Sequence, residues 1–142
     1  MIGNVTFSMI KPHAVQARHV GAIIHKIEQA RFNIQAMKLE QLTLQNARLF
    51  YQVHKDQPFY EQMCTSMTHG PVVALVLEKA NAVTDFRKLI GATDPARAAA
   101  GTIRAQFGKS IEANAIHGSD ANITARIEAE FFFPNKKTKI SR

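Results

Sequence analysis

The chain has 142 residues, 46% of them hydrophobic, one cysteine and a net charge of +7. That size and apolar fraction suit one compact domain, 1–142, with a real core. No apolar run approaches the length of a membrane span, the N-terminus lacks a secretory apolar segment, and a lone Cys64 cannot close an internal disulfide, so a membrane, secreted or disulfide-framed protein is not expected.

No Cys/His cluster stands at metal-ligand spacing, which argues against a structural zinc. Much of the positive charge lies in the tail Asn135 to Arg142, where Lys136, Lys137, Lys139 and Arg142 have no acidic neighbour. This tail reads as a solvated end. The remaining body is mildly basic and should attract polyanions, either nucleic acid or phosphorylated small molecules.

In chain order, Val5, Phe7 and Met9 alternate with Thr6 and Ser8, a strand pattern over Asn4 to Ile10. Pro12 ends that strand and can open a helical turn, which holds Lys11 at a strand terminus. Val20, Ile23, Ile24 and Ile27 have helical spacing over residues 19–30. Asn33 to Leu42 reads as a second strand. Thr43 is a plausible N-cap for a helix carrying Ala47, Phe50, Tyr51 and His54. Asp56-Gln57-Pro58 breaks it, and a short helix from Phe59 carries Met63 and Met67. Gly70-Pro71 turns into Val72 to Leu77, a run suited to a strand buried on both faces. Asn81 can cap a helix whose Val83, Phe86, Leu89 and Ile90 share a side, with Arg87 near its end. Residues 91–113 hold turn chemistry and little regular structure, and long segments of that kind are often functional.

The next stretch is Asn114-Ala115-Ile116-His117-Gly118-Ser119-Asp120. Ser119 or Asp120 can cap a following helix. Ile123, Ile127 and Phe131 form one apolar stripe at i, i+4 and i+8. Glu128 lies beside that stripe and can reach back to the turn. Gly118 leaves the backbone beside His117 open to a polyanion. A histidine can act as a nucleophile when a third group fixes its tautomer, and Ser119 and Glu128 are the nearest candidates. The order of elements suggests an α/β (α+β) sandwich, a ferredoxin-like, four-stranded, largely antiparallel sheet with helices packed on it.

Two phosphate-binding motifs are absent. Gly108-Lys109-Ser110 resembles the end of a P-loop, but the glycine needed upstream is missing and position 103 is isoleucine. No dinucleotide-type glycine pattern occurs. Nucleotide phosphates would therefore have to be held by side chains: Lys11, Arg87, Arg104 and the hydroxyl of Thr93.

Over nearly its whole length the chain resembles the nucleoside diphosphate kinase family. The blocks that carry the resemblance stand in the family's order. They are Ile10 to Val15, Phe50-Tyr51 with His54, Pro58-Phe59, Gly70 to Ala74, Gly91 to Pro95, Gly101 to Arg104, and Asn114 to Asp120.

The resemblance implies a reversible, ping-pong transfer of the γ-phosphate from a nucleoside triphosphate such as ATP to a nucleoside diphosphate. His117 would carry the phosphate on Nδ1. Glu128 would orient the other ring nitrogen, supported by Ser119. Lys11 would sit near the transferring phosphate and the ribose 3′-hydroxyl, with Tyr51 beside it. Arg87, Thr93 and Arg104 would hold the outer phosphates, and Asn114 a ribose hydroxyl. Phe59 would stack on the base, with Ile111 opposite. Mg2+ would arrive bound to the nucleotide phosphates, without protein side-chain ligands. The family resemblance also implies a cytoplasmic homo-oligomer, a tetramer or hexamer, with segment 91–113 closing the site and touching neighbouring subunits.

His13 stands where the family often has Asp or Asn. Gln57 replaces a basic residue and Gln106 an Asp. His13, His19, His25, His54 and His69 are read as structural or solvent-exposed, and Cys64 as a small buried hydrophobe. Two rivals remain: a catalytically silent scaffold, against which Lys11, Arg87, Arg104 and His117 stand together, and a nucleic-acid-binding module that stacks bases on an exposed sheet. No aromatic RNA-binding motif occupies a central strand, so nucleic acid is at most a secondary partner.

Overall fold

The structure, a computed structural model, describes residues 3–134. The basic tail 135–142 lies outside the described residues. The elements in order are β1 (Val5–Ile10), α1 (Pro12–Gln16), α2 (Val20–Gln29), β2 (Asn33–Glu40), α3 (Leu44–Phe50), α4 (Tyr60–Ser66), β3 (Val72–Glu78), α5 (Ala82–Ile90), α6 (Ile103–Phe107), β4 (Ile116–Gly118) and α7 (Asn122–Phe132). Single 3-10 turns at Gln52–His54 and Pro95–Arg97 complete the described chain.

The sheet order is β2-β3-β1-β4, and every neighbouring pair is antiparallel. This is the four-stranded ferredoxin-like α/β architecture expected. Side chains alternate across it, as a pleated strand requires. Phe7, Met9, Val72, Ala74 and Val76 join Leu42, Tyr51, Cys64, Met67, Ala129 and Phe132 in one apolar layer. Ile10, Val73, Leu75 and Leu77 join Ile23, Ile27, Phe32, Phe86, Ile90 and Ile116 in the layer on the other face. Each large buried side chain stabilises the fold by roughly 1.5–3 kcal/mol. β3 is buried on both faces along Val72 to Leu77, as its unbroken apolar run implies. Because helices cover both faces, the sheet offers no open platform for stacked bases, and the nucleic-acid rival loses its surface.

Several local expectations hold for the stated reasons. Pro12 occupies the first turn of α1 and leaves Lys11 at the end of β1. Thr43 caps α3 by accepting from the Asn46 N–H at 3.0 Å. Cys64 is fully buried.

Others are corrected. β2 ends at Glu40 rather than Leu42. Asn81 precedes α5 but makes no side-chain cap bond; its backbone is left-handed at φ 55°, a conformation asparagine tolerates better than most residues. Neither Ser119 nor Asp120 caps α7, whose N-cap is Ala121.

The stripe on α7 has the expected period, but it is not the face turned to the sheet. Ile123, Ile127 and Phe131 are 72%, 63% and 37% exposed, while Ala125, Ala129 and Phe132 are buried. Small alanines let the helix lie close against the sheet, and Phe132 stacks on Phe7 at 5.2 Å between ring centroids. The segment 91–113 also carries more regular structure than expected. It contains α6, capped by Thr102, which accepts from the Ala105 N–H.

Candidate active site

β4 is the shortest strand and forms one margin of the sheet. Its inner side bonds to β1. Lys11 N–H donates to Ala115 O at 2.8 Å, and Ser119 N–H donates to Phe7 O at 3.1 Å. His117 lies opposite Met9. By the alternation of a strand, the carbonyls of Ile116 and Gly118 therefore face the free margin. Two guanidinium groups take them. Arg104 Nη2 donates to Ile116 O at 2.8 Å, and Arg87 Nη1 to Gly118 O at 3.3 Å. The margin that carries His117 thus ends in two cations.

The histidine side chain points into the layer of Phe7, Phe50 and Tyr51. Its ring centroid lies 5.5 Å from Phe50 and 6.2 Å from Tyr51, both edge-on. His117 Nε2 is 2.9 Å from Glu128 Oε1, and the same oxygen accepts from Ser119 Oγ at 2.6 Å. The exposed stripe on α7 explains this contact. With Ala125 and Ala129 against the sheet, Glu128 turns toward β4. Ser119 thus braces the carboxylate instead of capping the helix. A charged carboxylate accepts from the ring, so Nε2 carries the proton and Nδ1 keeps the lone pair.

Gly118 does not open a path to the ring. A Cβ there would come within 3.0 Å of Ile90 Cδ1 and Phe86 Cδ2, on the α5 side of the sheet. Neighbouring strand residues face opposite ways, so the missing side chain makes room for α5, not for a ligand. Gly91, at φ 90°, ends α5 in a conformation that side chains rarely adopt, and its carbonyl accepts from Arg104 Nη1 at 3.1 Å.

Two cations here, Lys11 and Arg104, are desolvated. Burial lowers Lys11 from its usual 10.5 to about 8, with Arg104 adding to the effect. Burial, then Arg87, lowers Arg104 to about 10, so it remains charged at neutral pH. Burial, then the Glu128 charge, raises the Tyr51 hydroxyl, so it stays protonated.

Among the described residues, seven buried side-chain polar atoms have no protein partner, and three of them are Tyr51 Oη, Arg104 Nε and Asn114 Oδ1. Orphaned buried polar atoms are uncommon in folded proteins, and these three come from residues singled out by sequence. Asn114 is fixed at its other end by donating Nδ2 to Thr93 O at 3.2 Å. Thr93 itself is exposed at the start of the long loop. Phe59 and Ile111 are large apolar side chains left in solvent, and the Phe59 ring lies 6.0 Å from that of His54.

Among the described residues, no group of three His, Cys, Asp or Glu side chains could hold a metal ion. Glu128 is occupied by His117 and Ser119. His13, read as structural or solvent-exposed, accepts from the Ala115 N–H across 102 residues of chain.

The family model for nucleoside diphosphate kinase matches residues 4–138. The nucleoside diphosphate kinase of Flavobacterium psychrophilum is 52% identical over 137 residues, covering 96% of this chain and 99% of that one. That of Bordetella avium is 50% identical over 129 residues, 91% of this chain and 92% of its own. Among solved structures, the Aquifex aeolicus nucleoside diphosphate kinase superposes with a TM-score of 0.90 at 38% identity, covering 92% of this chain and 94% of that chain. The apo enzyme of Encephalitozoon cuniculi gives 0.91 at 34% identity, covering 94% and 90%. Likeness at this identity runs through nearly the whole chain and includes the strand, helix and loop that build the histidine site, so the chain belongs to the nucleoside diphosphate kinase family.

Proposed function

We propose that His117 carries the phosphate in a two-step exchange between nucleoside triphosphates and diphosphates. In the first step the Nδ1 lone pair forms a bond to the γ-phosphorus, the bond from that phosphorus to the β,γ-bridging oxygen breaks, and the diphosphate leaves. In the second step a β-phosphate oxygen of another diphosphate attacks the phosphohistidine and frees the ring. The observation that carries this reading is the 2.9 Å contact between His117 Nε2 and Glu128, which assigns the nucleophilic lone pair to Nδ1. The carboxylate also balances the charge the ring gains on phosphorylation.

Phosphoryl transfer needs positioning and charge neutralisation more than covalent assistance. Lys11 and Tyr51 serve the transferring phosphate, and Arg87, Thr93 and Arg104 the outer ones. Asn114, through its free Oδ1, accepts from a ribose hydroxyl. Phe59 stacks on the base opposite Ile111. The unpartnered Tyr51 Oη, Arg104 Nε and Asn114 Oδ1 support a polar ligand in this space. Mg2+ would be held by the nucleotide's own phosphate oxygens and would reduce their charge, since the described residues offer it no carboxylate cage. An aromatic face is indifferent to base identity, so ATP, GTP, CTP and UTP should serve within about tenfold of one another.

The active form is a cytoplasmic homo-oligomer, a tetramer or hexamer. The β2 margin supports assembly. Among the described residues it is an unpaired strand edge, with Met37 and Leu39 exposed at 51% and 65%.

Incubation with γ-labelled ATP tests the mechanism. Wild-type protein should take up acid-labile label at His117, and His117→Ala should take up none, with turnover falling on the order of 10⁴-fold or more. A wild type without label, or a His117→Ala variant that turns over normally, overturns the reading.

A further inference from the structure

We propose that His13 is a positioning residue for His117, acting through the Ala115 peptide; this rests on His117 being the phosphate carrier. His13 Nε2 accepts the Ala115 N–H at 2.9 Å, and the Lys11 N–H donates to the Ala115 carbonyl at 2.8 Å. Both polar groups of that one residue are therefore held, one by the first turn of α1 and one by the end of β1.

The grip falls where it is needed. Ala115 is fully buried and has φ 79°, the left-handed region that a Cβ disfavours. It immediately precedes Ile116, the first residue of β4. A strand of three residues at the sheet margin has few bonds of its own to fix its register. The left-handed turn at Ala115 sets the direction in which the chain enters β4, and so places His117 opposite Met9, within reach of Glu128. Without the acceptor, a buried N–H is left unpaired and Ala115 can relax toward ordinary extended backbone.

The acceptor works only in the neutral ring. Nε2 can receive a proton from Ala115 only if it carries none, so the His13 proton sits on Nδ1, which is buried without a partner. The titratable groups that face the ring are Lys109 from the loop before Asn114, Lys11 from its own segment and His19 from the entry to α2. None is a carboxylate. Burial first, then these groups, hold the ring below its usual range, which keeps it neutral at pH 7.

The test measures the rate at which ATP phosphorylates His117 in a single turnover, for wild type, His13→Ala and His13→Gln. The Gln carbonyl reaches about as far as Nε2 and does not titrate. His13→Ala should slow the step roughly tenfold at saturating ATP while changing the half-saturating ATP concentration less than about twofold. His13→Gln should return the rate to within about threefold of wild type. The ratio of the His13→Gln rate to the wild-type rate should be flat at alkaline pH and climb on the acid side of the ordinary histidine range, as the wild-type ring takes up its second proton. Both proteins contain His117, so its own titration cancels in that ratio. A wild type that takes label, with His13→Ala equally fast, overturns this inference alone. So does a His13→Gln variant no better than His13→Ala, or a ratio that stays flat at low pH. A wild type that takes no label on His117 overturns the parent reading and this one with it.

Discussion

The two margins of the sheet differ in nearly every respect. β4 has three residues, and its outward carbonyls are taken by Arg104 and Arg87. β2 has eight, no strand beyond it among the described residues, and Met37 and Leu39 in solvent. An unprotected edge invites another strand, and natural proteins usually blunt it with charge, bulges or cover. Here one edge is blunted by the same cations that would hold phosphate, and the other keeps its apolar side chains. Under the proposed function, chemistry and assembly would occupy opposite ends of one sheet. A change at either end should leave the other largely alone.

The harshest way to break that separation is Arg104→Ala. It removes two donors from the β4 margin and leaves Ile116 O and Gly91 O unpaired. Phosphorylation of His117 should fall by about 10²-fold or more, and unfolding free energy by roughly 2–3 kcal/mol. Labelled-ATP kinetics and a denaturant titration read both. A loss of stability without a loss of rate would remove the arginine from phosphate binding.

Leu39→Asp sharpens the contrast from the other side. A charge on the open β2 edge should shift the sedimentation profile toward smaller species at micromolar protein. The single-turnover labelling rate of His117 should stay within about threefold of wild type, because distant, unshared sites act nearly independently. An unchanged sedimentation profile would take β2 out of assembly.

The smallest effect expected is protonic. Lys11 sits near 8 in the free protein, and a bound phosphate favours its charged form. Nucleotide binding at pH 8–9 should therefore take up a fraction of a proton, while binding at pH 6 takes up almost none through this group. Affinity should weaken as pH rises through 8. Calorimetry in buffers of different ionisation enthalpy measures the uptake, and equal values at both pH values would remove Lys11 from the phosphate contacts.

Local rules carried much of this fold. The unbroken run Val72 to Leu77, Pro12 after β1 and the Thr43 cap are each decided by neighbours within a few positions, and such features can be read from sequence. The α7 face was not legible in the same way. Periodicity defines two faces but does not say which one meets the sheet, and the larger side chains Ile123, Ile127 and Phe131 gave way to alanines that permit closer packing. Gly118 was noticed for the wrong partner, because packing against α5 depends on how distant segments meet, whereas the Ser119 brace on Glu128 was implied by the family resemblance and only its cap role failed. The bond from Ala115 to His13 spans 102 residues, and no local pattern announces a contact of that range.

Cys64 gives this molecule an internal clock. It is the only thiol in the chain, fully enclosed on the inner side of α4, and burial raises its pKa so that little thiolate forms. An alkylating reagent can therefore reach it only during excursions in which that layer comes apart. The labelling rate, followed by mass in ordinary buffer, would report how often the native molecule opens, without denaturant or any attached probe.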